Sequence, residues 1–321
     1  MSEREKLKIS TRVMYDELLR QGAPVEILDA DSSLLEYIDT SGESRLLFST
    51  LSDKSSSVGS IVTRNKIRGE IIAKRLSLPL PLDTVCDSYE DAERFLEKHQ
   101  KIVVKPTSSS GGNGVSTGII NTKMLRIAYD YAREFGDEVI TQQHIEGSDI
   151  RLLVIAGTFR SAVERRPASV VGDGKSTIRQ LIDIENNSGR RADNSMQALS
   201  LINLQSAQRY LDAQIDTIIE SGVHCPVVGP ANLSLGGTAH EATHLVSSAM
   251  ISDAEKIANK LGLAICGVDM MWDKKTNDYH FIEVNGTPGV NMHNDPFWGT
   301  KSNAIELYVE WLLDPTKKMR V

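Results

Sequence analysis

LAICGVDMMW (residues 263–272) and YHFIEV (279–284), joined by DKKTND (273–278), decide how this chain folds. Both apolar runs read as strands and the link between them is a polar turn, so together they predict a β-hairpin. Side chains alternate faces along a strand, which points Glu283 and Asn285 the same way. With the hairpin centred near Thr276, Asp269 lies directly opposite Glu283, roughly 5 Å away. The other face, with Val268, Met270, Trp272, Ile282 and Val284, is expected in the core. Two carboxylates and an amide oxygen then converge on an otherwise buried sheet, where uncompensated like charges would be costly. Hard oxygen donors of this kind suit Mg²⁺, which keeps waters and takes substrate phosphates as its remaining ligands. A surface hairpin with incidental acids is the plainer alternative.

Around this hairpin, 321 residues suffice for about two domains and a large core. A net charge of −7, with no basic run, argues against a nucleic-acid surface. No apolar stretch approaches a membrane span, and the charged start MSEREKLKIS lacks the apolar centre of a signal peptide. Cys86, Cys225 and Cys266 show no metal-type spacing, which fits a reducing cytoplasm.

Residues 9–22 predict a helix, Val25–Ala30 a strand, and Leu34–Asp39 with Arg45–Ser49 a hairpin. This small lobe ends at the Ser-rich loop 52–60. Helices are expected from Lys66 to about Leu76, over Tyr89–His99 capped by Ser88, and over Met124–Phe135. Ile102–Lys105, Glu138–Gln142 and Arg151–Ile155 read as strands, and Ile178–Glu185 as a helix. Residues 186–228 read as an inserted arm, with a helix near Ala207–Ile219. Ser252, with Glu255 three residues on, predicts the start of a helix that Gly262 ends. Ala304–Leu313 predicts a last helix.

Lys105 ends a strand and feeds Thr107-Ser108-Ser109-Ser110-Gly111-Gly112-Asn113-Gly114. Glycines let backbone N–H groups approach anionic oxygens, hydroxyls add donors, and lysine adds a point charge for phosphate. The run is not a Walker A motif, since no Gly-Lys-Ser/Thr closes it. An ordinary surface loop is the alternative. Lys66, just after Asn65, is a second candidate phosphate contact, against the common case of a solvated helix lysine. Val139–Gln142 runs into Gln143-His144-Ile145-Glu146-Gly147, a strand passing into a hinge that can offer backbone groups to adenine; a plain strand-to-turn junction is the favoured alternative. Asp149 and Arg151 alternate on the next strand, Arg165 and Arg166 form a basic pair, and Asn232 opens a polar loop containing Gly236 and Gly237. Arginines in a cleft would give two-pronged recognition of phosphate or carboxylate. Paired surface arginines are more often salt-bridged or solvated. His293, just past the hairpin, is a candidate for the substrate side. Arg190 and Arg191 in the arm would favour an acidic substrate, unless the arm serves assembly.

In this order, these pieces resemble the ATP-grasp enzymes. The likeness is to the ATP-grasp module of cyanophycin synthetase and the glutathione-synthetase half of the bifunctional bacterial glutathione enzyme. It is carried by GSDIRLLVIAGTFRSAVERRPASVVGDGKSTIRQLIDIEN (147–186), ANLSLGGTA (231–239), CGVDMMW (266–272) and FIEVNGTPGVNMH (281–293). STRVMYDELLRQGAPVEILD (10–29) is similar to the segment that precedes the fold in the glutathione enzyme.

The resemblance implies an α/β (α+β) chain with two α+β lobes sandwiching ATP. A short N-terminal α/β lobe (1–60) would precede the ATP-grasp domain (61–321), with its nucleotide lid at about 80–145 and the inserted arm at about 186–228. It further implies ATP contacts at Lys66, Lys105 and Asp149, and a phosphate cover over Ser108, Ser109, Ser110, Gly111, Gly112 and Gly114. Adenine contacts would come from Gln142, Gln143, His144 and Ile145. Asp269, Glu283 and Asn285 would hold one or two Mg²⁺, with Mn²⁺ as a substitute, and Arg151, Arg165, Asn232 and Gly237 would handle the phosphoryl group or the activated carboxylate. Gln142 stands where the family commonly has Glu, which puts a charged nucleotide contact in doubt.

The activity implied is ADP-forming ligation of a carboxylate to an amine through an acyl phosphate, on an amino acid or short peptide, in the cytoplasm, without nucleic-acid or membrane partners. A homo-oligomer is left open. Neither the γ-glutamylcysteine-forming half nor the Mur-ligase-like half of the two relatives appears in the sequence, so the resemblance does not name the substrates. Two alternatives stand: an ATP-grasp kinase of small molecules, and a nucleotide-binding partner subunit without activity of its own.

Overall fold

The computed structural model describes residues 2–109, 111–192 and 199–316. The hairpin forms as the sequence predicts and lies at one edge of a five-stranded antiparallel sheet. The strand order is Thr238–Glu241, Thr158–Arg166, Ser148–Ile155, Ile265–Trp272, Tyr279–Asn285. Asp269 pairs directly with Glu283, and Gly267 with Asn285. The next pair is Met270 with Phe281, which leaves Ile282 as an extra residue in its strand. That is the two-against-one pattern of a β-bulge, and it resets the alternation of faces. Phe281 therefore takes the core position expected of Ile282, and Ile282 turns to the cleft.

One face of this sheet is apolar along its length. Ile150, Leu152, Val154, Cys266, Val268 and Met270 pack beneath the helix Ser248–Leu261. That helix starts earlier than predicted: Ser247 caps it through the Met250 N–H, so Ser252 is an interior residue. Glu255 accepts a hydrogen bond from the Phe159 N–H at 2.8 Å instead of completing a capping box. Gly262 ends the helix in the left-handed conformation, φ +63°, where glycine carries no Cβ penalty.

The other face changes character midway. Leu153, Ile155 and Ile265 join the core of the amino-terminal lobe, with Met14, Leu18, Leu35, Tyr37 and Leu47, and with Tyr308, Val309 and Leu312 of the last helix, Ala304–Leu313. Two and four residues along the same strands, that face carries Asp149, Arg151 and Asp269. A period of two puts all these residues on one side, so the same face is core at one end and charged site at the other.

The segment expected to form the lid holds a four-stranded antiparallel sheet in the order Asp83–Cys86, Val139–Gln143, Ile102–Pro106, Ser116–Ile119. Helices Tyr89–His99 and Thr122–Arg133 pack on it through Leu96, Leu125, Ala128 and Ala132. The first begins with the expected Ser88 cap, reciprocated by Asp91.

Ala168, Val170, Ile178, Ile182, Ile202, Ala207, Ile215 and Val227 build a separate core around the arm. The helix expected near Ala207–Ile219 is Leu204–Leu211, followed by a 3₁₀ turn at Asp212–Asp216. Arm and lid touch: the Arg209 guanidinium lies 4.0 Å over the Tyr131 ring, and Lys123 pairs with Asp212 at 3.2 Å. Among the described residues no helix is long and apolar enough to cross a membrane, and all three cysteines are free.

Candidate active site

Lid sheet, central sheet and arm enclose a cleft of about 1090 Å³. Of the candidates named from the sequence, Lys66, Lys105, Ser108, Ser109, Gly111, Gly112, Gln142, Gln143, His144, Ile145, Asp149, Arg151, Arg165, Asn232, Asp269, Glu283 and Asn285 line it. Gly114 and Gly237 are not among the lining residues. Gly114 sits against Pro106 and Phe135, and Gly237 against the backbone carbonyls of Ala231, Asn232 and Arg166. A Cβ at Gly237 would lie 2.8 Å from two of those oxygens, so the position suits glycine for packing. Ser110 lies outside the described residues.

The two lysines arrive from different elements. Lys66 opens the helix Lys66–Arg75, whose cap Asn65 accepts from the Arg68 N–H. Its ammonium donates to the Ser109 carbonyl at 3.0 Å and stands 4.0 Å from Glu283. Lys105 is buried and donates to Gln142 Oε1 at 3.0 Å. Burial, reinforced by Lys66, pushes the Lys105 ammonium down to about 8. The Ser109 hydroxyl beside them is buried and has no hydrogen-bond partner among the described residues. Ser234 Oγ donates to the Gly111 carbonyl at 2.9 Å, which ties the Gly/Ser loop to the loop after Asn232.

Next to the lysines lies a pair the sequence reading missed. Burial and a hydrogen bond with Asp83 raise the Glu70 carboxyl to about 8. Nothing in the pattern of the helix Lys66–Arg75 singles Glu70 out, because the contact comes from the lid strand.

The central sheet carries a charge network. Arg151 grips Asp269 with two hydrogen bonds, Nε to Oδ1 and a terminal nitrogen to Oδ2, both 2.6 Å. Arg165 donates to Asp269 Oδ2 at 2.8 Å and to Asp149 Oδ1 at 2.6 Å. Burial alone would raise Asp269, but the two guanidiniums outweigh it and hold the carboxylate at about 2. Gly267 makes room: a Cβ there would meet the Arg151 side chain at 3.2 Å. Arg165, named from the sequence as a candidate phosphate or carboxylate contact, is buried, while Arg166 beside it stays exposed and pairs with Glu164. Burial would raise Glu164, yet hydrogen bonds from Lys274, Ser148 and Arg166 bring it down to about 2. Glu164 was legible only to a reader who had placed a strand over Thr158–Arg166.

Asn285 Oδ1 accepts from the Thr287 N–H at 2.9 Å. His293 does not reach the cleft wall. It is buried beneath the charge network, bonded through Nδ1 to Ser161 at 2.9 Å, and burial pushes it down to about 3. The arm arginines do not line the cleft either. Arg191 is buried and donates to the Gly236 and Ser200 carbonyls, both at 2.8 Å, and to Glu185; Arg190 pairs with Glu185 on the surface. Their expected role in selecting an acidic substrate is therefore corrected: Arg191 holds the arm together, and Arg190 forms a surface pair outside the cleft.

The family "prokaryotic glutathione synthetase, ATP-grasp domain" matches residues 70–187. A cyanophycin synthetase of Crocosphaera subtropica is 32% identical over 285 residues, covering 85% of this chain and 33% of its own length. The bifunctional glutathione biosynthesis protein of Clostridium perfringens is 26% identical over 325 residues, covering 97% of this chain and 42% of its own length. The crystal structure of a bifunctional glutathione synthetase from Pasteurella multocida superposes with a TM-score of 0.67 at 24% identity, over 98% of this chain and 44% of that one. The chain thus spans well under half the length of these relatives. It has the ATP-grasp fold, α+β in class, and the resemblance read from its motifs is borne out.

Proposed function

We propose that this ATP-grasp chain is an ADP-forming carboxylate–amine ligase acting on an amino acid or short peptide, the class of chemistry its synthetase relatives suggest. One observation carries the reading. Lys66, Lys105, Ser108, Ser109, Gly111 and Gly112 converge in a single cleft with the acidic edge of the sheet at Glu283 and Asn285. Two ammonium groups and a buried hydroxyl without a partner among the described residues suit a polyphosphate, since buried polar atoms are normally satisfied. Val103 and Ile282 offer apolar surface beside Gln142–Ile145 for a base.

The donor set also fits Mg²⁺. Among the described residues Lys66 is the one cation within 4.0 Å of the Glu283 carboxylate. Asp269 Oδ1 accepts one hydrogen bond and keeps a lone pair, as does Asn285 Oδ1. No group of three His, Cys, Asp or Glu forms a closed cage among the described residues. That is the expectation for an ion that draws most of its ligands from water and phosphate. Bound by Glu283, Asp269 and Asn285, Mg²⁺ would neutralise charge on the phosphate oxygens, and Mn²⁺ could substitute.

The chain's own groups act by position and charge. Lys66 and Lys105 hold the transferring phosphoryl group in line with the substrate carboxylate. The carboxylate oxygen takes the phosphoryl group and ADP leaves. The amine nitrogen then attacks the acyl carbon, and the C–O bond to phosphate breaks as the nitrogen gives up a proton to solvent. Closure of the Gly/Ser loop against Ser234 keeps water from the acyl phosphate. Arg151 and Arg165 supply positive charge beneath the reacting carboxylate.

The test is ADP release, with product analysis, over a panel of amino acids and dipeptides taken in pairs. ADP, phosphate and a new amide are expected. A stable phosphorylated substrate would instead make the chain a kinase, and failure to bind Mg·ATP in titration calorimetry would refute the site itself.

A further inference from the structure

One cation on the cleft wall has no partner among the described residues. Arg151 and Arg165 are paired with acids, Arg166 with Glu164, Lys66 with the Ser109 carbonyl and Lys105 with Gln142. Arg64 also lines the cleft, is exposed, and makes no side-chain hydrogen bond, ion pair or ring contact among the described residues.

Its backbone is nonetheless well fixed. The helix Ser57–Val62 ends at Thr63, and Asn65 caps the next helix, so Arg64 occupies a two-helix corner. Thr63 anchors that corner: its hydroxyl donates to the Ser60 carbonyl at 2.9 Å and lies where a Cβ on Gly286 would come within 2.8 Å. Gly286 follows the Glu283–Asn285 edge directly. On the other side, Asn65 Nδ2 reaches Ser108 Oγ at 3.4 Å. Arg64 is therefore held between the acidic sheet edge and the start of the Gly/Ser loop, while its guanidinium is free. Leu51, Ser60 and Thr63 of the same amino-terminal stretch line the wall beside it.

A planar guanidinium with five donors matches a carboxylate or a phosphate equally well. The phosphate side already has two ammonium groups and a loop of donors. We propose that Arg64 binds a substrate carboxylate other than the one activated. The preferred substrate is then a dicarboxylic amino acid, or a peptide presenting its free C-terminal carboxylate. The inference rests on the ligase reading and sharpens it: the selectivity for an acid that the sequence suggested for the arm belongs to the amino-terminal wall.

The experiment compares acid and amide isosteres: aspartate with asparagine, glutamate with glutamine, and dipeptides with free or amidated C-termini. The parent enzyme is expected to favour the acid by about tenfold to a hundredfold in kcat/KM, the size of one charge-assisted contact. Arg64→Ala should erase that preference, and Arg64→Lys should restore part of it. Three results would overturn the proposal: a parent that treats acid and amide alike, an Arg64→Ala variant that still discriminates, or a loss of ATP affinity in that variant as large as the loss of discrimination, which would assign Arg64 to phosphate. Should no pair release ADP, the ligase reading fails on its own. Calorimetric titration of the same isosteres into parent and Arg64→Ala, with Mg·ADP present, still decides Arg64: tighter binding of the acid by the parent alone supports it, and equal binding sinks it.

Discussion

Asp269→Asn and Glu283→Gln should cost turnover alike but stability very differently. Asp269 is 2% exposed and is the anchor for Arg151 and Arg165, themselves 6% and 7% exposed. Removing its charge leaves Arg151 buried without an anion. Breaking a buried pair in this way typically costs about 3–5 kcal/mol. The low end applies, because Arg165 keeps Asp149 at 2.6 Å and the asparagine oxygen can still accept from Arg151. At about 2 °C per kcal/mol for a chain of this size, 3 kcal/mol lowers the melting temperature by roughly 6 °C. Glu283 is different: its side chain is 31% exposed and the cation that pairs with it, Lys66, stands at 4.0 Å. Such a pair contributes at most about 1 kcal/mol, so Glu283→Gln should melt within roughly 2 °C of the parent.

The assay is calorimetric melting without nucleotide or metal, beside ADP release at saturating Mg²⁺, where both variants should fall by at least ~100-fold. The sign of the pH dependence follows from Asp269 at about 2, below the roughly 3.9 of an unfolded aspartate. Its stabilisation is complete above pH 4 and is lost as pH falls toward 2, a loss Asp269→Asn should not show. An Asp269→Asn protein melting with the parent would refute the anchoring argument. Near-parental turnover in either variant would refute the metal assignment.

Lys105 sits at about 8 in the free protein, so ATP affinity should be level below pH 8 and weaken by up to about tenfold per unit above it, as binding must then take up a proton. Titration calorimetry from pH 7 to 9.5 measures this, and Lys105→Ala should weaken ATP by more than about tenfold and abolish the bend. Arg191→Ala should destabilise the arm, seen as faster limited proteolysis between residues 186 and 228, because two carbonyls and Glu185 lose their donor, while Arg190→Ala should leave the rate within twofold. Gly112→Ala places a Cβ 2.4 Å from Asn232 Oδ1 at φ +79°. Strain of about 1–2 kcal/mol in the docked loop should raise the KM for ATP by about fivefold to thirtyfold, and an unchanged KM would show that the docked loop plays no part in nucleotide binding.

How far the sequence could be read depended on whether a residue's surroundings were local. Ser88 could be named as a cap because its partner, Asp91, is three residues away. The pairing of Asp269 with Glu283 could be named because a short polar turn fixes the register between two strands. Ile282 was misplaced because a bulge consumes one residue without leaving a signature in YHFIEV. The strand Thr158–Arg166 went unread for a stronger reason. Two of its charged residues, Glu164 and Arg165, are buried, and what permits their burial comes from far away in the chain: Asp269 for Arg165, and Lys274 for Glu164. Seen alone, ERR looks like solvent-facing sequence; opposite acids on the neighbouring strands, it becomes the floor of a cleft. The same holds for Arg191, whose acceptor Gly236 lies 45 residues on. Non-local pairing hides these residues from a local reading, and the same pairing makes Asp269 costly to replace: a buried charge depends on partners that no nearby residue can supply.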